Sequence, residues 1–143
     1  MCAAGNNGPD KRTITAPGVS KKIITVGCLD DILADNKNST CNKKNKHSYT
    51  GRGPTCHCII KPDIVCTGNQ IPSLANNYAC YTKKSGTSMA TPIVSATILL
   101  LLEKKTYLTP KDIKILLKNS AKDLKVSRNI QGFGELDIER FMQ

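Results

Sequence analysis

The run Ile93-Val94-Ser95-Ala96-Thr97-Ile98-Leu99-Leu100-Leu101-Leu102 limits what this chain can become more than any other stretch. It stops at Glu103-Lys104-Lys105 and is about half the ~20 residues needed to cross a bilayer, so it reads as a core helix. The pattern predicts a helix from about Met89 to Lys104, apolar nearly all round. Such a helix is expected to be buried on all sides.

What precedes this helix carries chemistry. Gly86-Thr87-Ser88-Met89-Ala90-Thr91-Pro92 leads into it. Glycine permits a tight turn. Proline has no amide hydrogen to lose, so it fits the first turns of a helix and not its middle. Ser88 is therefore expected at or near a helix N-terminus. Free amides and the positive end of the helix dipole there would face any negative charge forming beside its hydroxyl. Acyl transfer produces such charge, so the position suits a nucleophile. A serine that only caps a helix fits the same spacing.

Elsewhere the elements are read from local pattern. Ile23 to Leu29 is a continuous apolar run of strand formers, as in a parallel strand covered on both faces. Asp63-Ile64-Val65-Cys66 is a second such strand, and Ser48 to Pro54 reads as a short strand with a glycine turn. Gly68–Ile71 and Tyr78–Lys83 are expected to pair as a hairpin around Ser73–Asn77. Residues 35–47 are Asn-, Lys- and Ser-rich and read as a surface loop. Thr109-Pro110-Lys111-Asp112 is a strong helix start, followed by the amphipathic face Ile113, Leu116, Leu117 and Ala121. Asp137 to Met142 reads as a short closing helix.

The heptapeptide Gly86 to Pro92 resembles the nucleophile motif of the subtilisin-like serine peptidases, the subtilases. Ala3-Ala4-Gly5-Asn6-Asn7-Gly8-Pro9 is similar to that family's oxyanion-hole segment, with its asparagine at Asn6. The stretches Ser48 to Thr55 and Lys61-Pro62-Asp63-Ile64-Val65 resemble the family as well, in family order. The resemblance implies an α/β fold. It would be a partial three-layer subtilisin-like arrangement: a parallel sheet remnant, a buried central helix, a β-hairpin and C-terminal helices. It implies a serine endopeptidase acting on polypeptides through an acyl-enzyme on Ser88, with Asn6 and the Ser88 amide holding the oxyanion. Thr87 would support the same anion, and Ala3-Ala4-Gly5 would form one wall of the primary specificity pocket. An acidic residue near Asp30 binds a weak Ca or Na ion in many members. No other cofactor is implied.

The resemblance covers only the C-terminal half of a catalytic domain. The segments that carry the family's aspartate and histidine would precede Met1, so residues 1–143 are read as needing that missing half, or as an inactive scaffold. His47 and His57 remain, both in polar loops that the family places on the surface.

Composition narrows the alternatives. Lys and Arg number 21 against 11 Asp and Glu, a net charge of +10, which invites a nucleic-acid partner. The charges lie in scattered pairs, and with no Trp, 4 Tyr and 2 Phe there is no basic–aromatic pattern for stacking bases. A solvated lysine-rich surface is expected, without nucleic acid or membrane as partner. The 7 cysteines do not form a spaced disulfide framework. Cys28 and Cys66 read as core thiols. Cys56-His57-Cys58, with Cys41 and His47 upstream, is tighter than a standard Cys-x2-Cys ligand pair, so no metal site is assigned. The N-terminus shows no basic stretch followed by an apolar one, and no compartment follows from the sequence.

Overall fold

Thr25-Val26-Gly27-Cys28 forms strand β2 (Thr25–Cys28), and all four of its residues are buried. The computed structural model describes residues 1–29, 49–76 and 80–143. β2 lies between β1 (Cys2–Ala3) and β3 (Ile64–Cys66), parallel to both, with Cys2 opposite Thr25 and Val26 opposite Ile64. Side-chain alternation divides β3 between two layers. Ile64 and Cys66 face one apolar core, while Val65 joins Leu29 on the other side, against Leu124, Val126 and Ile130. Beyond β3 the backbone continues the sheet: Val65 N–H donates to Gly134 O at 3.0 Å, and Leu136 N–H donates to Val65 O at 2.9 Å.

Helix α1 (Thr87–Lys104) packs Ala90, Val94, Ile98 and Leu101 onto this sheet. Helix α2 (Pro110–Ser120) adds Ile113 and Leu117 to the same core, and α4 (Ile138–Phe141) adds Phe141. A short helix α3 (Arg128–Gln131), capped by Ser127, was not evident from the residue pattern. The result is a mixed α/β fold with a parallel sheet and flanking helices.

Three expectations need correction. Helix α1 is not buried on all sides: Leu99 is 65% exposed and Leu100 54%. Its sheet-facing side is sealed, and no described residue covers the opposite side. The hairpin strands are β4 (Ile71–Leu74) and β5 (Tyr81–Lys84), with Leu74 opposite Tyr81. Gly68 lies outside the ladder because its carbonyl accepts from Gly86 N–H at 2.9 Å. Within residues 49–54 only Arg52 makes a strand-type bridge, to Lys11, so no strand forms among them. Their backbone bonds are spread over separate partners: Tyr49 O takes Gly8 N–H, Gly51 N–H goes to Gly5 O, and Gly53 N–H goes to Lys61 O. Among the described residues no helix is long and apolar enough to cross a membrane.

Candidate active site

The site begins where β1 ends. Gly5 has φ +92°, and a Cβ there would stand 2.5 Å from Thr15 Oγ1, so only glycine makes this bend. The bend carries Asn6 to the N-terminus of α1. There Asn6 Oδ1 accepts from Thr87 N–H at 3.1 Å and from Thr87 Oγ1 at 2.9 Å, across 81 residues of sequence. Gly86, the N-cap, has φ 150° and ψ 162°, a region that is nearly glycine-only. A Cβ on Gly86 would lie 3.3 Å from Asn6 Nδ2, so the carboxamide is packed directly against the turn.

The first-turn amides can be accounted for one by one. Thr87 N–H goes to Asn6, while Met89 N–H and Ala90 N–H go to Gly86 O at 2.9 and 3.3 Å. Neither the Ser88 N–H nor the Ser88 hydroxyl has a partner among the described residues, and the side chain is exposed. Because the carboxamide oxygen of Asn6 is committed to Thr87, its NH₂ end is the one left to donate. A hydroxyl, a free backbone amide and a carboxamide NH₂ thus gather at the positive end of an 18-residue helix. Such a group can stabilise the oxyanion formed when the hydroxyl attacks a carbonyl.

The remaining predicted residues fall around this centre. Thr87 is fully buried and its hydroxyl points to Asn6, so any effect on an anion runs through the orientation of that carboxamide. Ala4 is fully buried, whereas Ala3 lines a shallow groove of about 600 Å³ with Ser88, Pro92, Leu99, Met1 and Cys2. His57 sits in an exposed turn in which Cys58 N–H donates to Thr55 O at 2.9 Å, and it does not bond Ser88. Cys56 and Cys58 are exposed in the same turn, and Cys28 and Cys66 are buried. His47, Cys41 and Asp30 lie outside the described residues. Among the described residues no group of three or more His, Cys, Asp or Glu is placed to hold a metal ion.

Sequence reasoning missed Ser85. Its hydroxyl accepts from Gln70 N–H at 2.9 Å and donates to Asn69 Oδ1 at 2.6 Å. Together with the Gly86–Gly68 bond this closes the base of the hairpin just before the nucleophile turn. No spacing rule links residues 69 and 85, because the contact exists only once the hairpin has formed.

Comparison with known proteins gives a consistent picture. A model of the subtilase family matches residues 1–134. The chain is 42% identical over 151 residues to the serine protease AprX of Bacillus subtilis, covering 96% of this chain and 33% of AprX. It is 32% identical over 147 residues to the human membrane-bound transcription factor site-1 protease, covering 100% of this chain and 13% of that protein. Among solved structures, the Clostridium perfringens CspB protease superposes with a TM-score of 0.74 at 29% identity, over 92% of this chain and 28% of that one. The chain therefore spans a third or less of the length of each of these proteins.

Proposed function

The chain belongs to the subtilase family, and from that premise we propose that it carries the nucleophile and oxyanion portion of a serine endopeptidase. The observation that carries this reading is the Asn6–Thr87 contact, which puts a carboxamide from the end of β1 beside the Ser88 turn. In this reading Ser88 Oγ attacks a peptide carbonyl. Charge on the carbonyl oxygen is received by Ser88 N–H and Asn6 Nδ2, the peptide C–N bond breaks, and an ester forms on Ser88. The leaving amine takes a proton, and water then hydrolyses the ester. Ala3, on the groove beside Ser88, supplies one wall of the pocket for the residue before the scissile bond, while Ala4 is buried behind it.

The reaction also needs a base for the Ser88 proton, and no described residue bonds that hydroxyl. In subtilases the aspartate and histidine precede the serine along the chain. The open face of α1, with Leu99 and Leu100, and the outer edge of β1 are where a segment bearing them would dock. A second reading is a scaffold that binds polypeptides without cleaving them.

Labelling by a fluorophosphonate probe separates the two. Fast labelling is expected when an aspartate- and histidine-bearing segment is supplied, and Ser88→Ala, which removes the oxygen the probe modifies, should abolish it. If the complemented protein stays as unreactive as the isolated chain, the scaffold reading replaces the peptidase one.

A further inference from the structure

Two thiols lie side by side near the nucleophile turn. Cys28 closes β2 and Cys66 closes β3, and the register sets one directly opposite the other. Paired residues of parallel strands present their side chains to the same face of the sheet. Here that face is the one toward α1, since Cys66 shares its core with Val26, Ile64 and Ala90. Cys28 Sγ is located from two sides. Tyr49 Oη lies 3.2 Å from it. A Cβ placed on Gly68 would stand 3.1 Å from the sulfur and 3.1 Å from Ala90 Cβ, in the first turn of α1. Both of these neighbours support the Ser88 centre. Gly68 O accepts from Gly86 N–H at 2.9 Å, and Tyr49 O accepts from Gly8 N–H at 2.8 Å, just beyond Asn6.

We propose that Cys28 and Cys66 are a disulfide-forming pair, oxidised by hydrogen peroxide and reopened by small thiols, whose closure loosens the turn that carries Ser88. Neighbouring strands lie about 4.8 Å apart, inside the roughly 4.4–6.8 Å Cα separation that a disulfide spans. Side chains leaving two such strands keep about that spacing at Cβ, slightly wider than the roughly 3.5–4.5 Å of a bridge. Closing the bond therefore draws the ends of β2 and β3 together. Cys66 is 6% exposed beside the exposed Thr67, whereas Cys28 is fully buried, so the peroxide meets Cys66 first. The Cys66 sulfur attacks one peroxide oxygen, the O–O bond breaks, a first water leaves with the thiol proton, and Cys66 becomes a sulfenic acid. The Cys28 sulfur then attacks the Cys66 sulfur, the S–O bond breaks, and a second water carries away the Cys28 proton. Two thiols and one peroxide thus give one disulfide and two waters. The pull takes Cys28 Sγ away from Tyr49 Oη and out of its packing at Gly68, and through those two neighbours it reaches Gly8 and Gly86.

The test starts from the unsubstituted chain. It is treated with hydrogen peroxide while folded, the remaining thiols are blocked with N-ethylmaleimide, and its peptides are read by mass spectrometry. A Cys28–Cys66 linked peptide is expected, and it should be lost again after dithiothreitol. Amide hydrogen exchange at Gly86 and Gly8 should quicken on the order of tenfold on oxidation and return on reduction. Cys28→Ala should leave the Cys66 sulfenic acid unresolved, so that dimedone traps it, whereas the unsubstituted chain should give little adduct there. Neither readout needs peptide cleavage, so both stand if Ser88 proves unreactive. Thiols at 28 and 66 that survive peroxide doses sufficient to oxidise the exposed Cys56 and Cys58 would overturn the proposal. So would a Cys28–Cys66 bond that left both amides unchanged.

Discussion

Helices α1 and α2 begin in opposite ways. Helix α2 carries its own start: the Thr109 side chain accepts from Asp112 N–H, the Asp112 side chain returns a bond to Thr109 N–H, and Pro110 occupies the first turn. Helix α1 has a glycine N-cap with no side-chain bond, no acid in its first turn, and Pro92 inside it. Its first amide is instead capped by Asn6, 81 residues away. The difference has a chemical reason. An N-cap side chain ordinarily accepts from the second or third amide of the helix. In α1 the second helical residue is Ser88, so a serine or aspartate at position 86 would compete for the N–H that an oxyanion needs. Glycine at the cap keeps that donor free, and Asn6 satisfies the amide before it. Local self-sufficiency in α2 and borrowed capping in α1 thus separate a helix that serves packing from the one that the proposed chemistry uses.

The largest test of this contrast is at Asn6, where capping and chemistry share one side chain. In protein complemented with the aspartate- and histidine-bearing segment, Asn6→Ala and Asn6→Asp should each slow fluorophosphonate labelling of Ser88 by about 10²–10³-fold, since both lack the NH₂ donor. Their stabilities should part. Asn6→Ala loses the cap and about 1 kcal/mol in chemical denaturation, whereas Asn6→Asp keeps an oxygen for the Thr87 N–H beside a helix N-terminus that favours negative charge. Labelling of Asn6→Asp at the unsubstituted rate would show that the carboxamide only caps the helix.

The same contrast explains what could be read from sequence. The start of α2 was legible because its signals lie within four consecutive residues, Thr109 to Asp112. Strands β2 and β3 were legible because burial on both faces demands an unbroken apolar run. The meeting of Asn6 with the Ser88 turn was expected only through family resemblance, since an Asn-Asn-Gly stretch alone reads as a turn. Hydropathy marked α1 as something to be buried but could not say what would cover Leu99 and Leu100. The burial of Lys61, whose side chain is fully covered, escaped notice because a lysine reads as solvated when its charge is costly to bury. The three oxygens that its ammonium bonds, and that offset the cost, come from Ile23, Thr25 and Asp63, and no local pattern reveals that they converge.

A smaller effect is expected at the self-sufficient end of the comparison. Thr109→Ala removes the side-chain half of the capping box, leaves the backbone N–H of residue 109 on Asp112, and should lower stability by about 1 kcal/mol in urea unfolding. Ser88 labelling should not change, because the apolar core that Ile113 and Leu117 of α2 share with α1 does not include Ser88. A matching loss of labelling would show that α2 positions the nucleophile and that the two helices are not independent.

The smallest effect, and the finest probe of that box, is its acid response. The Thr109 hydroxyl donates to Asp112 Oδ2 at 2.6 Å and the Thr109 N–H donates to it at 2.9 Å. In order of size these two bonds hold the Asp112 carboxyl below its ordinary 3.8. A carboxyl with a lowered folded pKa binds protons more weakly folded than unfolded, so its contribution is fully present above 3.8 and fades as pH falls through the folded value. Asp123 behaves alike, held down chiefly by the Lys125 N–H and then by Gln131, so the whole chain should lose stability in acid with both sites contributing. Asp112→Asn cannot titrate at this position. The stability gap between the unsubstituted chain and Asp112→Asn, followed by thermal melts from pH 5 to pH 3, should therefore narrow as the acid strengthens, leaving the Asp123 share of the slope in both. Curves that stay parallel over that range would mean that the hydrogen bonds of the box, and not the charge on Asp112, carry its whole contribution.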